Sequence, residues 1–118
     1  MSNYIDGFVF PIAIEHLNEY KRLSEKVADI WKEHGALDYL EFVGDDMELA
    51  GTRSFTDAIA AKENEIIVFG WVVFESRETR DLANKKVAAD PRMKDLHEFS
   101  EAGFNAERMA YGGFKSVS

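Results

Sequence analysis

Asp6 is the residue whose placement most clearly calls for a chemical explanation, because it lies inside the apolar segment spanning residues 4–14. An unpaired carboxylate is costly in such surroundings, so we expect Asp6 to have a charged partner. The predicted partner is Arg108, provided that the first and last strands are antiparallel neighbours. The pair would then either anchor a ligand in a cleft or fix the strand register or a dimer seam. We favour the second interpretation, since ion pairs perturb carboxylates without catalysing a reaction.

His34 stands at the end of a predicted helix, directly before Gly35. There it is either a proton shuttle that reaches into a cleft or a side chain stabilised by the helix C-terminus, which we favour. His16 and His97 lie among polar residues, and the three histidines show no tight spacing with one another or with a carboxylate pair. Because the chain also lacks cysteine, the sequence predicts no metal site and no cofactor.

Aromatic residues supply the means to hold a flat aromatic ligand. Trp71 falls in the predicted central strand and Trp31 on the first helix, where the two would flank such a ligand. Three tyrosines would add hydroxyl groups to the same pocket: Tyr4, Tyr39 and Tyr111. Large aromatic side chains at these positions are more often core residues, and we favour that interpretation.

Arg92 belongs to the run Asp90-Pro91-Arg92-Met93, which combines a helix cap with a protruding guanidinium group. Arg92 would either grip an anionic group of a substrate or bridge to acidic residues of a partner chain. The sequence favours neither interpretation over the other.

The composition limits the partners and the location of the protein. The chain has 118 residues, which we interpret as one domain spanning residues 1–118, and its formal net charge is −8. Its basic residues are interleaved with acidic ones, so binding to nucleic acid or to an anionic membrane is disfavoured. The absence of cysteine fits a reducing compartment, and neither an N-terminal signal nor a long apolar run is visible. We therefore expect a cytoplasmic protein.

Strands are predicted where β-branched and aromatic residues dominate, at residues 4–14, 36–43, 65–74 and 107–115. Pro11 is expected near the end of the first strand. Residues 45–64 form the least regular part of the chain, and we interpret them as a loop with a short helical turn near Thr56.

Helices are predicted between these strands. Apolar residues at three-four spacing indicate a first helix that begins near Leu17 and is ended by Gly35. Ser76 is a plausible N-cap for a second helix. Asp90 and Pro91 begin a short third helix, whose inward face would consist of Met93, Leu96 and Phe99 and which Gly103 ends.

The repeated β-α-β order predicts an α+β fold of ferredoxin-like βαββαβ topology, with a four-stranded antiparallel sheet and two helices on one face. The strands are apolar on both faces, and a chain of this length has nothing left to cover the second face. A second copy of the chain is the simplest cover. The sequence therefore predicts a homodimer in the form of a dimeric α+β barrel.

Seven short segments stand out along nearly the whole chain: Tyr-Ile-Asp-Gly-Phe-Val at residues 4–9, Glu-His-Gly-Ala at 33–36, Gly-Asp-Asp at 44–46, Ser-Arg at 76–77, Arg-Asp at 80–81, Asp-Pro-Arg-Met at 90–93 and Tyr-Gly-Gly-Phe at 111–114. In this order they resemble the YbaA-like family of bacterial proteins. This is a domain-of-unknown-function family placed in the dimeric α+β barrel superfamily, so the resemblance implies the same fold and dimer. It supplies no catalytic residues. The wider superfamily includes monooxygenases, haem-degrading enzymes, isomerases and sensor domains, among which a fold alone does not choose.

Three functions therefore stay open from the sequence. The first is a binding module that holds a small hydrophobic or aromatic molecule in a cleft. The second is a cofactor-independent monooxygenase or isomerase, in which a Tyr, His or Asp moves protons. The third is a protein-interaction role without catalysis. We rank binding first because the sequence contains no recognisable nucleophile–base pair.

Overall fold

The computed structural model describes residues 3–94 and 103–117. Within these ranges the chain runs through β1 (Tyr4–Ala13), α1 (Leu17–Glu33), β2 (Asp38–Val43), α2 (Phe55–Ile59), β3 (Glu65–Phe74), α3 (Arg77–Ala89), α4 (Pro91–Lys94) and β4 (Ala110–Lys115). Two short 3-10 turns, Ile14–His16 and Ala106–Arg108, precede α1 and β4. The predicted order of strands and helices is confirmed for this part of the chain.

The strands form one antiparallel sheet with the order β2-β3-β1-β4. The first and last strands are antiparallel neighbours, as predicted, but β4 pairs with β1 only along residues 4–9. Pro11 therefore lies where β1 has no neighbour on the β4 side. A residue without a backbone N–H is tolerated at such a position.

The helices α1 and α3 pack on one face of this sheet. Side chains alternate between faces along a strand, and the even-numbered residues of β1 and β3 point towards the helices. Four of these side chains are almost completely buried: Phe10, Ile12, Val68 and Phe74. The helices contribute a matching stripe of buried residues: Tyr20, Leu23, Val27 and Ile30 from α1, and Ala83 and Val87 from α3. Burial of each large apolar side chain stabilises the fold by roughly 1.5–3 kcal/mol.

The opposite face of the sheet is apolar and only partly covered. Phe55 of α2 packs edge-on against Phe69, with 5.4 Å between ring centroids. Trp71 stacks on Phe42 with 5.3 Å between centroids, while Phe42 and Phe114 remain 53% and 57% exposed. We call Phe42, Phe69, Trp71 and Phe114 the open aromatic face.

The predicted helix signals are confirmed by hydrogen bonds. Ser76 Oγ accepts a hydrogen bond from the Thr79 backbone N–H at 3.1 Å, which caps α3. Asp90 Oδ1 accepts one from the Arg92 N–H at 2.9 Å at the start of α4. Gly35, with φ at 120°, follows α1 in a conformation that favours glycine. Leu96 and Phe99, which were assigned to the inward face of the last helix, lie outside the described residues.

Two strands begin later than predicted. β2 starts at Asp38 instead of residue 36 because the Ala36 N–H still donates to the Trp31 carbonyl of α1, at 3.0 Å. β4 starts at Ala110 instead of residue 107 because the Asn105 side chain caps the turn before it, accepting from the Glu107 N–H at 3.0 Å. The second shift leaves Arg108 outside the strand.

Candidate functional site

The prediction that Asp6 pairs with Arg108 is wrong, since the arginine partner of Asp6 is Arg80 in α3. Arg80 Nη1 lies 3.1 Å from Asp6 Oδ1, and the two side chains are only 12% and 6% exposed. Gly113 is the residue of β4 opposite Asp6, so Arg108 precedes the paired part of that strand. The topology would have predicted that Arg80 lies near Asp6. The end of β3 pairs with the start of β1, and the first turn of α3 therefore lies above Asp6.

Arg108 binds Glu65 at the other end of the sheet. Its two terminal nitrogens donate to Glu65 Oε2 at 2.6 Å and Oε1 at 2.9 Å, and Nη2 also donates to the Ala60 carbonyl at 3.1 Å. The hydrogen bonds from Arg108 lower the pKa of Glu65 to about 2 and raise the pKa of Arg108. This bidentate pair fixes the turn before β3 and lies away from Asp6.

Two tyrosines complete the surroundings of Asp6. The Tyr111 hydroxyl donates to Asp6 Oδ1 at 2.8 Å and accepts from Arg80 Nη1 at 2.8 Å. Arg80 Nη2 donates to the Tyr4 hydroxyl at 3.0 Å, and the guanidinium carbon lies 4.9 Å from the Tyr4 ring centroid. Gly113 permits this arrangement, because a Cβ atom there would collide with the Tyr4 hydroxyl. We call Tyr4, Asp6, Arg80 and Tyr111 the Asp6 network.

Asp6 keeps spare capacity to accept hydrogen bonds. Both bonds described above end on Oδ1, and within the described residues Oδ2 receives no donor. Burial raises the pKa of Asp6 above its ordinary value, although Tyr111 and Arg80 oppose this change. Burial and the bond to Asp6 raise the pKa of Tyr111 to about 12. Arg80 Nε lies 3.0 Å from Asp81, but its N–H is not aimed at that carboxylate, so this contact is an ion pair without a hydrogen bond.

Asp6 forms part of the wall of a cavity of about 520 Å³ between the helices and the sheet. Half of the described lining residues are aromatic: Phe8, Phe10, Tyr20, Trp31, Tyr39, Phe104 and Tyr111. The others, apart from Asp6, are Val72, Asn84, Val87, Ala88, Met93 and Met109. The cavity is therefore an apolar, aromatic space with one carboxyl and one amide group on its described wall.

A second carboxyl group, Glu41, lies behind two of the lining tyrosines. Tyr20 donates a hydrogen bond to Glu41 Oε2, and Ser24 donates to Oε1 at 2.5 Å. Burial raises the pKa of Glu41, and burial together with the Glu41 charge raises the pKa of Tyr20 and of Tyr39. Glu41 was not predicted from the sequence as a site residue. Its position two residues after Tyr39 in β2, and hence on the same face of the sheet, is the signal that would have found it.

His34 and Arg92 meet in a separate cluster around Asp90. His34 Nε2 lies 2.8 Å from Asp90 Oδ2, while Arg92 donates to Asp90 from Nε at 3.0 Å and from Nη2 at 2.8 Å. Arg92 Nη2 also donates to Glu33 at 2.5 Å. The hydrogen bonds from Arg92 and then His34 hold the pKa of Asp90 well below its usual range. These contacts tie the end of α1 to the α3–α4 junction, and none of the four residues is on the cavity wall.

Trp71 lies on the opposite face of the sheet from Asp6, so the less favoured interpretation, in which Trp71 and Trp31 flank one ligand, is wrong. Trp71 pairs with Gly7 and Leu40 and belongs to the open aromatic face. Trp31 does line the cavity, together with Tyr39 and Tyr111. Alternation along β3 explains the separation, because odd-numbered residues point away from the helices.

Residues 3–94 and 103–117 contain no group of three or more His, Asp or Glu side chains arranged to hold a metal ion. His97 lies outside this part of the chain. In the same ranges, no helix combines the length and apolar character needed to cross a bilayer.

The comparisons with known proteins agree with the family resemblance. "Uncharacterized protein YbaA" of Escherichia coli (strain K12) is 41% identical over 114 residues, covering 97% of this chain and 96% of that protein. The protein of the same name from Shigella flexneri matches equally well. A crystal structure of a NIPSNAP family protein with unknown function from Agrobacterium tumefaciens covers 97% of this chain and 87% of that chain. Its TM-score is 0.57 at 15% sequence identity, so it supports the fold alone. Residues 3–106 match the family described as "Protein of unknown function (DUF1428)", and the chain therefore belongs to this family.

Proposed function

We propose that this protein holds a small hydrophobic or aromatic molecule in the cavity, with Asp6 as the polar anchor. One observation carries the proposal: a buried carboxyl group with an uncommitted oxygen forms part of the wall of an aromatic cavity. A cavity of about 520 Å³ is within the size range of small-molecule sites, which are mostly apolar and carry a few polar groups that fix orientation. Asp6 Oδ2 is not among the buried side-chain atoms that lack a partner, so it is accessible to water, and a donor group of a ligand can replace that water.

We further propose a ferredoxin-like fold that pairs into a homodimer through the open aromatic face. The strand order β2-β3-β1-β4, with α1 and α3 on one face, supports the fold assignment. Exposed Phe42 and Phe114 beside Trp71 support the dimer, because an apolar patch of this kind is unfavourable in water. A two-fold pairing of such a patch with its own copy is self-complementary.

A second candidate function is an isomerase-type proton transfer inside the same cavity. The observation that favours it is the raised pKa of Asp6 beside the Tyr111 hydroxyl. A carboxylate tuned in this way is a suitable general base. Asp6 would take a proton from one carbon of an enolisable ligand and return it to another. Incubation of small β-keto compounds in D₂O would test this, because wild type would incorporate deuterium faster than the uncatalysed exchange and Asp6→Asn would not.

The binding proposal is tested with N-phenyl-1-naphthylamine, a neutral probe whose fluorescence rises in apolar surroundings. We expect saturable binding of one probe per chain. Ala88 lines the cavity although it is exposed, so Ala88→Trp should obstruct the cavity opening and weaken binding at least about tenfold, or about 1.4 kcal/mol. Ala89→Trp adds the same side chain at the next position, which is also exposed but lies off the cavity wall, and should leave the affinity unchanged. Equal binding by both variants would contradict the proposal.

A further inference from the structure

We propose that the cavity selects ligands that carry a protonated amine on an aromatic or apolar body. The inference rests on the proposed binding function and specifies its ligand class. It is drawn from the hydrogen-bonding groups, the charges and the ring faces that the described residues present to the cavity.

The described wall carries one carboxyl group, one amide and three tyrosine hydroxyls, and its unused carboxylate oxygen is an acceptor. The hydroxyl protons of Tyr111 and Tyr20 are already donated to Asp6 and Glu41. Asp6 Oδ2 remains available as an acceptor, and the Asn84 side chain makes no hydrogen bond within the described residues. An ammonium group has three donors and no acceptor, so it can use both Asp6 and the Asn84 carbonyl. A carboxylate ligand would instead face the Asp6 carboxylate, with the Asn84 amide as its donor.

The charges around the cavity also favour a cation. The described wall contains no lysine or arginine. Arg80 lies behind the wall, where its terminal nitrogens are committed to Asp6, Tyr111 and Tyr4. Asp6 and Asp81 both lie beside this guanidinium, Glu41 adds a third carboxyl group behind Tyr20, and the formal charge of the whole chain is −8. An excess of carboxyl groups over guanidinium groups around a cavity raises the local concentration of cations.

Aromatic rings provide the third argument. The described wall includes seven aromatic side chains, among them Trp31, Tyr39 and Phe104. An ammonium group over the face of an aromatic ring gains roughly 0.5–2 kcal/mol, most when it is shielded from water. Rings that hold an apolar body by stacking can therefore also favour its amine, whereas the same ring faces repel an anion.

The experiment compares three ligands that share one ring system but differ in charge. Calorimetric titrations of the full-length protein would use tryptamine, neutral 3-ethylindole and anionic indole-3-acetate. We expect tryptamine to bind about tenfold more tightly than 3-ethylindole and indole-3-acetate to bind most weakly. The inference would be overturned if tryptamine did not bind, or if it bound no more tightly than 3-ethylindole or indole-3-acetate. This series needs no variant, so it does not depend on the folding of a mutant.

A variant then tests whether the preference for a protonated amine depends on Asp6. Asp6→Asn should weaken tryptamine binding about tenfold and leave 3-ethylindole binding unchanged, which also shows that the cavity is intact. Glu78→Gln removes the same charge from an exposed position on α3 and should change neither affinity. Binding of N-phenyl-1-naphthylamine without an amine preference would contradict this inference and leave the proposed function in place. Absence of binding by that probe and by all three indoles would contradict both.

Discussion

Asp6 and Tyr111 meet diagonally across β1 and β4, and the Tyr111 hydroxyl donates to Asp6 Oδ1 at 2.8 Å although Phe8 is its register partner. The two side chains share one face of the sheet, and Arg80 reaches both of them from α3. A buried carboxyl group is thus held by two strands and a helix at one point of the cavity wall. Its position depends on tertiary packing, which fixes its orientation on the wall.

The first prediction concerns the pH dependence of Asp6. Burial raises the pKa of Asp6 above its ordinary value of 3.8, so folding favours the protonated form. The stability linked to this group is therefore present below about pH 4 and is lost as the pH rises through the folded-state pKa. Asp6→Asn removes this titration. Urea unfolding of both proteins would be measured at several pH values. The free energy of unfolding of the variant minus that of wild type should increase as the pH rises above about 4. A difference that stays constant would contradict the assignment.

The second prediction concerns Glu65, whose pKa is lowered in the folded protein, whereas the pKa of Asp6 is raised. Arg108 lowers the pKa of Glu65 from 4.5 to about 2, so the stability from this pair is present above pH 4.5 and is lost as the pH falls through about 2. Glu65→Gln should cost about 1–2 kcal/mol at neutral pH and progressively less in acid. Glu63→Gln, at an exposed neighbouring position, is the control and should have little effect. An equal loss at all pH values would indicate that packing, not charge, is responsible.

The order of strands and helices could be predicted from the sequence because the hydrophobic patterns of the individual elements were strong. The continuous apolar run of β3 and the three-four spacing of α1 predicted a central strand and an amphipathic helix. The register of β4 against β1 could not be predicted from the sequence. Asp6 lies opposite Gly113, and the same register extended to Arg108 would place it opposite Pro11, so Arg108 does not reach Asp6.

The face of the sheet on which Trp71 lies could not be predicted from the sequence either. β3 is apolar at both odd and even positions, so the pattern does not distinguish its two faces. The Glu41 cluster was missed for a related reason: its carboxylate is satisfied by Ser24 and Tyr20 of α1, which come near only after packing. Local patterns therefore predicted the elements, and contacts between elements built the site.

The third prediction tests the open aromatic face. Phe114→Glu places a charge on the face proposed to join two copies and should shift the protein from dimer to monomer in analytical ultracentrifugation. Leu82→Glu is the matched control, because Leu82 is 53% exposed on α3, close to the 57% of Phe114. A wild-type monomer, or dimers of equal strength in both variants, would contradict the proposed dimer.

The fourth prediction separates the Asp90 cluster from the cavity. His34→Ala removes a hydrogen bond that joins α1 to the α3–α4 junction, so we expect a melting temperature several degrees lower. His34 is not on the cavity wall, so the affinity for N-phenyl-1-naphthylamine should remain within about twofold of wild type. A tenfold loss of affinity would correspond to about 1.4 kcal/mol. Loss of binding without loss of stability would assign His34 to the site after all.

The most direct test of the central claim is to locate the bound probe by NMR. Intermolecular nuclear Overhauser effects would be measured between N-phenyl-1-naphthylamine and methyl groups of the labelled protein. The account predicts contacts to Val87, Met93 and Met109, which line the cavity. Contacts confined to Leu40 and Val73, whose register places them on the face of Trp71, would show that the probe binds the open aromatic face and would contradict the account.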